Sequence, residues 1–419
     1  MKILFINNYF NNEGGAESLV NRTGQLLEQY GHEVYYFATN KLPYYIDNYQ
    51  YSTFFPEYTN YKDLSKFKKA FYSLRSIYNI ESKNKLIDFI KEINPDIAHV
   101  SSVSYFLTPS VINALYLMRI PTVMTLHNPY LVCPSVRLMF KNERYCTEKL
   151  CVSGNPLNCL RYNCFENNIA KSCISTLEFL FRKTFKLLDH ISYFICPSNA
   201  LADLLISSGI NTNRIITINN FVSESYLNTI HEFSKGNYFL YTGRMSPEKG
   251  LTNLINTYSN LNLPVKLHIT GTGSQEKELK ELVNRLNTDK IIFTGFKKNT
   301  DLVNEYNNCI STILPTIGFE TFGLSIVEGF ASGKPAIGSN IGGIPEVIDN
   351  NVNGFLFDPD DLISLANYIK ELYHNTDKAI EMGKNGRNKV KQFYNQELYL
   401  SKLLHTYKCV LDHKDIGII

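Results

Sequence analysis

The sequence predicts an α/β protein built as two doubly wound domains, each a parallel sheet wrapped by helices. Three observations carry this. The chain has 419 residues, which at roughly 150 residues per domain is enough for two or three cores. Short apolar runs alternate with helical periods from residue 3 to 218, and the alternation restarts at residue 238. A polar, weakly patterned stretch at 223–237 separates the two series and reads as a linker.

In the first series, residues 3–6 are an unbroken apolar run of strand length. Ala16, Leu19, Val20, Leu26 and Leu27 then share one helical face, and Gly31 stops that helix. Residues 34–37 form the next strand. Residues 41–61 are aromatic and aperiodic, the mark of a long functional loop. Residues 65–93 read as helical. Pro95 and Pro121 introduce strands at 97–100 and 122–126. Residues 128–170 show no clear period and hold five of the nine cysteines. A helix near 173–189 leads to a strand at 193–196. Ser198 is the expected N-cap of a helix that Gly209 ends, and 215–218 is the last strand of this half.

In the second series, strands are expected at 238–242, 265–269, 291–294, 310–314 and 335–337. Helices are expected at 250–260, 274–287, 323–332, 361–374, 377–393 and 396–411. Asp358, Asp360 and Asp361 read as an N-cap cluster rather than a metal site, because Leu362 and Leu365 begin a helical period. Doubly wound sheets bind ligands at the carboxyl ends of their strands, so the cleft between the halves is the expected site.

Composition narrows the function. Apolar residues make 44% and charged residues 19%, which excludes wholesale disorder. With 42 basic and 39 acidic side chains the net charge is +3, so no nucleic-acid partner is expected. No run of 18 apolar residues lacks charges, and the opening apolar run meets Asn7 and Asn8 too soon for a signal peptide. The protein is therefore expected in the cytosol, where its cysteines would be reduced thiols or metal ligands.

The chemistry-bearing motifs lie at strand ends. Gly243 and Arg244 close a strand, and Lys249-Gly250 follows at the turn into a helix. An Arg fork and a Lys point charge beside a helix N-terminus suit phosphate oxygens. Further on, Glu320, Phe322, Gly323, Leu324 and Glu328 span the start of another helix. The Gly323 and Leu324 N–H groups could cradle a diphosphate. Glu320 would precede the helix and face the cleft, and Glu328 in the second turn could accept hydrogen bonds from two vicinal ribose hydroxyls. The first strand lacks the G-x-G-x-x-G pattern, which counts against a dinucleotide oxidoreductase.

These residues, in this order, resemble the retaining glycosyltransferases of family 4, of the bacterial surface-polysaccharide type. The anchors are Gly14-Gly15-Ala16-Glu17, His127, Gly243-Arg244 with Lys249-Gly250, Gly271-Thr272-Gly273, Gly295-Phe296, Glu320 through Glu328, Gly342 through Glu346, and Gly354-Phe355-Leu356. The resemblance implies the GT-B fold, two Rossmann-like domains facing across a cleft. It implies an acceptor-binding domain at 1–225, joined by a returning helix at 395–419, and a nucleotide-sugar domain at 238–394. It implies that Gly15 packs on the donor diphosphate and sugar, that Arg244 and Lys249 neutralise the diphosphate, and that Glu320 meets donor-sugar hydroxyls. Glu328 would hold the ribose, Gly295 and Phe296 would lie near the base, and His127 would face the donor sugar. A lone His after an apolar strand is more often structural; its place in Thr125-Leu126-His127-Asn128 reverses that reading.

The implied partners are a UDP- or GDP-linked sugar and a saccharide acceptor, lipid-linked at the inner face of the cell membrane. No cofactor is required for catalysis, since cationic side chains take the place of a metal. Cys146, Cys151, Cys159 and Cys164 could clip a structural Zn²⁺, with reduced structural thiols as the alternative. Lys62, Lys66, Lys68, Lys69 and Arg75, interleaved with Phe67, Phe71, Tyr72 and Leu74, suggest either peripheral membrane contact or a solvated amphipathic helix. The rival functions are another GT-B enzyme, such as a sugar-nucleotide epimerase or phosphorylase, and a non-catalytic glycan-binding subunit.

Overall fold

The computed structural model describes every residue except 12–13, 42, 59–64, 66–71, 142–143, 153, 229–235 and 416–419. It contains two six-stranded parallel sheets, as the alternating pattern predicts. In chain order the strands of the first half are β1 (Lys2–Ile6), β2 (Glu33–Phe37), β3 (Ile97–Val100), β4 (Thr122–Thr125), β5 (Met139–Phe140), β6 (Arg144–Tyr145), β7 (Tyr193–Cys196) and β8 (Ile215–Thr217). The first large sheet runs β2-β1-β3-β4-β7-β8, while β5 and β6 form a separate antiparallel hairpin. The second half supplies β9 (Tyr238–Thr242), β10 (Lys266–Thr270), β11 (Ile291–Gly295), β12 (Cys309–Leu314), β13 (Ala336–Ser339) and β14 (Gly354–Phe357), ordered β11-β10-β9-β12-β13-β14.

The central strands of each sheet are buried on both faces, which is why they read as continuous apolar runs. All four residues of β3, of β4 and of β13 are buried, as are all six of β12. Two separate apolar cores result. The last helix, Gln396–Asp415, returns to the first core, where Tyr399, Leu400, Leu403, Tyr407 and Val410 are buried. Its hydroxyls satisfy buried polar groups there. Tyr407 meets His99 Nδ1 at 2.6 Å and Tyr399 meets Thr23 at 3.2 Å.

Several elements differ from the sequence reading. β14 was not among the expected strands, since it is only four residues long and opens on a glycine. The helix Asn299–Asn308 was missed because it buries only Val303, Glu305 and Tyr306 and has no apolar stripe. Of the helix expected over 65–93, residues 72–75 are helical, a turn follows at 76–77, and a second helix runs Ile80–Ile93. There Asn79 adopts an extended conformation and accepts a hydrogen bond from the Ser82 N–H, a cap that starts a new helix. The helix expected at 173–189 spans Ile169–Thr184, capped by Asn168, and a short turn follows at Leu187–His190. The aperiodic cysteine-bearing stretch contains the β5–β6 hairpin and a short helix, Leu157–Arg161. Asp361 caps its helix as expected, accepting from the Ser364 N–H. Of the basic segment, Lys62, Lys66, Phe67, Lys68, Lys69 and Phe71 lie outside the described residues. Among those described, no helix is long and apolar enough to cross a membrane.

His99 sits in β3 with both ring nitrogens engaged, the second by Thr125 Oγ1 at 2.7 Å. Burial, with His127 nearby, lowers its pKa to about 3. The unfolded chain binds this proton near pH 6.5. The folded chain does not, so stability is full above that pH and falls as the pH drops toward 3. His99→Gln should flatten that fall by about 1.4 kcal/mol per pH unit, read by urea denaturation at several pH values across the window.

Candidate active site

The site is assembled where the carboxyl ends of β9 and β12 face those of β1 and β4. After β9, Gly243 and Arg244 lead into a single tight turn, Pro247–Lys249, and then the helix Leu251–Ser259. This turn is tied to the loop after β12 through one carbonyl. Glu248 O accepts from the N–H groups of Ile317 and Gly318, at 2.9 and 3.0 Å, and from Thr316 Oγ1 at 2.6 Å. The tie brings Lys249 Nζ to 2.6 Å from Glu320 Oε2, with side chains only 18% and 14% exposed. Burial alone would push the Glu320 carboxyl up. Lys249, the Phe322 N–H and Arg244 outweigh it and hold the group below its ordinary range. Arg244 is exposed at the strand end and makes no ion pair among the described residues.

The helix Leu324–Ala331 starts at Gly323, whose φ of 94° a side chain would strain, and no side chain caps it. Its first N–H groups are therefore open to an anion. Glu328 lies in its second turn, as expected, and accepts from Tyr306 Oη at 2.9 Å. Burial raises the Glu328 carboxyl, against Arg22 and Tyr306, which lower it. Arg22 belongs to the first-domain helix Gly15–Gln29, so this influence crosses the cleft. The Phe322 side chain is in the core, edge-on to Tyr394, and only its backbone faces the site. Gly295 ends β11 and Phe296 is 51% exposed beside it, at the far side of the β9 end.

From the first domain, Gly15 opens its helix with clear space where a side chain would stand. His127 follows β4. Its Nε2 lies 3.3 Å from Ser101 Oγ, and its carbonyl accepts from Thr321 Oγ1 at 3.3 Å. Burial lowers its pKa to about 4, so the ring is neutral at neutral pH. Behind Glu320, Gly342 has φ 59° and a Cβ there would lie 2.1 Å from Glu320 O, so this close approach requires glycine. Gly343 N donates to the same oxygen at 2.8 Å. Glu346, three residues on, caps a first-domain helix, Asn199–Ser207. Its two carboxylate oxygens accept from the N–H groups of Asn199 and Ala200 at 2.9 and 2.7 Å.

Lys249 and Glu320 are thus joined directly, the His127 carbonyl meets Thr321 next to Glu320, Glu328 lies in the second turn beyond the Gly323 helix tip, and Arg244, Gly15 and Phe296 stand around them. The sequence reading did not find the Lys249–Glu320 pair, the Tyr306 and Arg22 neighbours of Glu328, or the cap made by Glu346. Glu346 carried a signal, its place in Gly-Gly-Ile-Pro-Glu, without a role. Cys146, Cys151, Cys159 and Cys164 lie together away from this centre and are joined by Cys133. Among the described residues, no three His, Cys, Asp or Glu side chains are already set to grip a metal.

Comparison with known proteins finds two family models that between them span most of the chain. The family model described as Glycosyltransferase Family 4 matches residues 13–226. A second, described as Glycosyl transferases group 1, matches residues 224–389. The O-antigen chain mannosyltransferase C of Escherichia coli is 26% identical over 180 residues, covering 42% of this chain and 48% of that one. The chain spans about half the length of the first curated relatives it matches. The N-acetyl-alpha-D-glucosaminyl L-malate synthase of Bacillus anthracis is 22% identical over 411 residues, 95% of this chain and 94% of that one. The crystal structure of Anabaena Alr3699/HepE in complex with UDP and glucose aligns with a TM-score of 0.69 at 19% identity, over 98% of this chain and all of that one.

Removing the cap across the cleft should loosen the two halves. Glu346→Ala leaves two helix N–H groups without their carboxylate, a loss of about 1–2 kcal/mol. A melting temperature lowered by a few degrees, with Glu346→Gln between the variant and wild type, is the expected calorimetric result.

Proposed function

The chain belongs to glycosyltransferase family 4, and on that premise we propose that it transfers a sugar from a nucleotide-sugar donor to a saccharide acceptor with retention of anomeric configuration. The observation that carries this reading is the convergence of two cations, two carboxylates and an uncapped helix tip on one strand-end cleft. The UDP and glucose bound in the Anabaena protein support a nucleotide sugar of UDP or GDP type. The name of the Escherichia coli relative supports a role in surface-polysaccharide assembly.

In this reading the donor diphosphate lies on the Gly323 and Leu324 N–H groups, with Gly15 letting it approach from the other side. Arg244 and Lys249 supply fixed positive charge where the leaving group becomes negative, which is the largest single catalytic effect of such a site. As the diphosphate enters, it takes a share of Lys249 from Glu320, and Glu320 turns to the donor-sugar hydroxyls. Glu328, oriented by Tyr306, accepts from the ribose hydroxyls, and Phe296 lies by the base. The acceptor oxygen attacks the anomeric carbon on the face that the diphosphate leaves. The C–O bond to phosphate breaks, and a phosphate oxygen takes the acceptor's proton. His127, neutral at the operating pH, hydrogen-bonds the donor sugar without placing a second cation on the oxocarbenium-like centre. We further propose a lipid-linked acceptor, presented at a membrane where Lys62, Lys66, Lys68 and Lys69 dock, while Arg75 is paired with Glu81.

Two variants test the centre. Lys249→Ala, and Lys249→Ala with Glu320→Gln to remove the stranded carboxylate, should each lose at least about a hundredfold in kcat. Both should keep their far-ultraviolet dichroism. UDP, GDP and their sugars should be screened by thermal shift, since a ligand of the folded state raises the melting temperature. Wild-type turnover in both variants would refute the assignment. Phosphate-dependent cleavage, or hydrolysis without transfer, would point to one of the other GT-B activities.

A further inference from the structure

The segment between β4 and β7 carries more cysteine than the proposed transfer chemistry uses. Cys133, Cys146, Cys151, Cys159 and Cys164 are scattered over 32 positions of sequence, yet all five line one cavity of about 20 Å³. That is room for a single atom. Cys133, Cys146 and Cys159 are 6%, 9% and 1% exposed. We infer that this cavity is a structural site for one soft divalent cation of the Zn²⁺ class, with Cys133 and Cys146 as its fixed ligands and two of Cys151, Cys159 and Cys164 completing it.

Cys133 Sγ lies 3.2 Å from Ser135 Oγ, and Cys151 Sγ lies 4.0 Å from the Pro156 carbonyl. Four thiolates are an ordinary tetrahedral ligand set for a structural Zn²⁺, and a cavity lined by five cysteines supplies them. Because no three thiols yet stand at ligand spacing, binding requires rotation about their χ1 angles. That rotation brings four sulfurs to Zn–S distances of about 2.3 Å and releases the thiol protons.

The fold shows why a cation is needed there. Among the described residues of 131–166 there are two strands of two residues each and one helix of five, too little to order the segment. They are anchored from below by Arg182, which donates to the carbonyls of Tyr130 and Leu131. Above, they touch the donor side of the cleft. Arg137 reaches Glu166 at 3.3 Å and Glu248 at 3.8 Å, and Met139 packs on Gly318. The cation would thus fix the loop that braces the Glu248–Lys249 turn. This last consequence rests on the proposed function; the metal content does not.

The test begins with full-length protein purified without chelators from zinc-supplied cells. Elemental analysis should find one zinc per chain, and thiol titration after denaturation with chelator should find all nine cysteines free. Cys133→Ser and Cys146→Ser should each retain less than about a tenth of an equivalent, while Cys409→Ser, outside the cluster, keeps it. Both cluster variants should be cut faster by protease within 131–166 and lose roughly 10–100-fold in turnover. If they fail to fold, wild-type protein stripped under reducing conditions and reloaded with Co²⁺ should show thiolate-to-cobalt charge-transfer absorption. No metal with nine free thiols, two thiols missing as a disulfide, full zinc in Cys133→Ser, or no cobalt–thiolate band would each overturn the inference. Full metal content without glycosyl transfer would instead refute only the functional reading.

Discussion

The contact between Lys249 and Glu320 governs the geometry of the cleft. Opposite charges 2.6 Å apart and mostly shielded from water cannot be separated cheaply. Desolvation cancels much of what such a pair adds to stability, so its value here is positional. It sets the turn after β9 against the loop after β12, and three donors on Glu248 O repeat that setting in the backbone. Gly342 and Gly343 close on Glu320 from behind, where no side chain fits. A mobile lysine thus becomes a fixed charge, which is what stabilising a departing diphosphate requires.

The two halves meet through contacts of the same kind. Glu346 caps a helix of the opposite domain, Thr321 donates to the His127 carbonyl, and the Arg22 charge is felt at Glu328. Thr321 follows Glu320 directly, and Glu346 lies just after the Gly342–Gly343 pair that backs Glu320. The chemistry and the domain interface therefore share their loops. The cysteine-lined loop extends this arrangement through Arg137 and Met139.

Much of this was legible in the sequence because parallel sheets announce themselves. Buried strands such as β3, β4 and β12 are unbroken apolar runs, and Glu328 had to fall in the second turn once Gly323 opened its helix. What escaped notice depends on partners far along the chain. Lys249 and Glu320 are 71 positions apart, and nothing local in either marks the other. Cys133 precedes the other four cysteines by 13 positions or more, and only the folded loop brings it to them. β14 and the helix Asn299–Asn308 are stabilised by tertiary packing against weak local pattern, the case in which periodicity fails.

The helix Gln396–Asp415 completes a core whose other members lie hundreds of residues earlier. His99 meets Tyr407 across 308 positions, and Thr23 meets Tyr399 across 376. On the ribosome, the first sheet emerges with an apolar groove where Leu400, Leu403 and Val410 will later lie. At ~5–20 residues per second, that groove waits on the order of ten seconds or more while the second domain is synthesised. The nascent N-terminal half is therefore a natural client for chaperones, and it finishes folding only after its neighbour has been made.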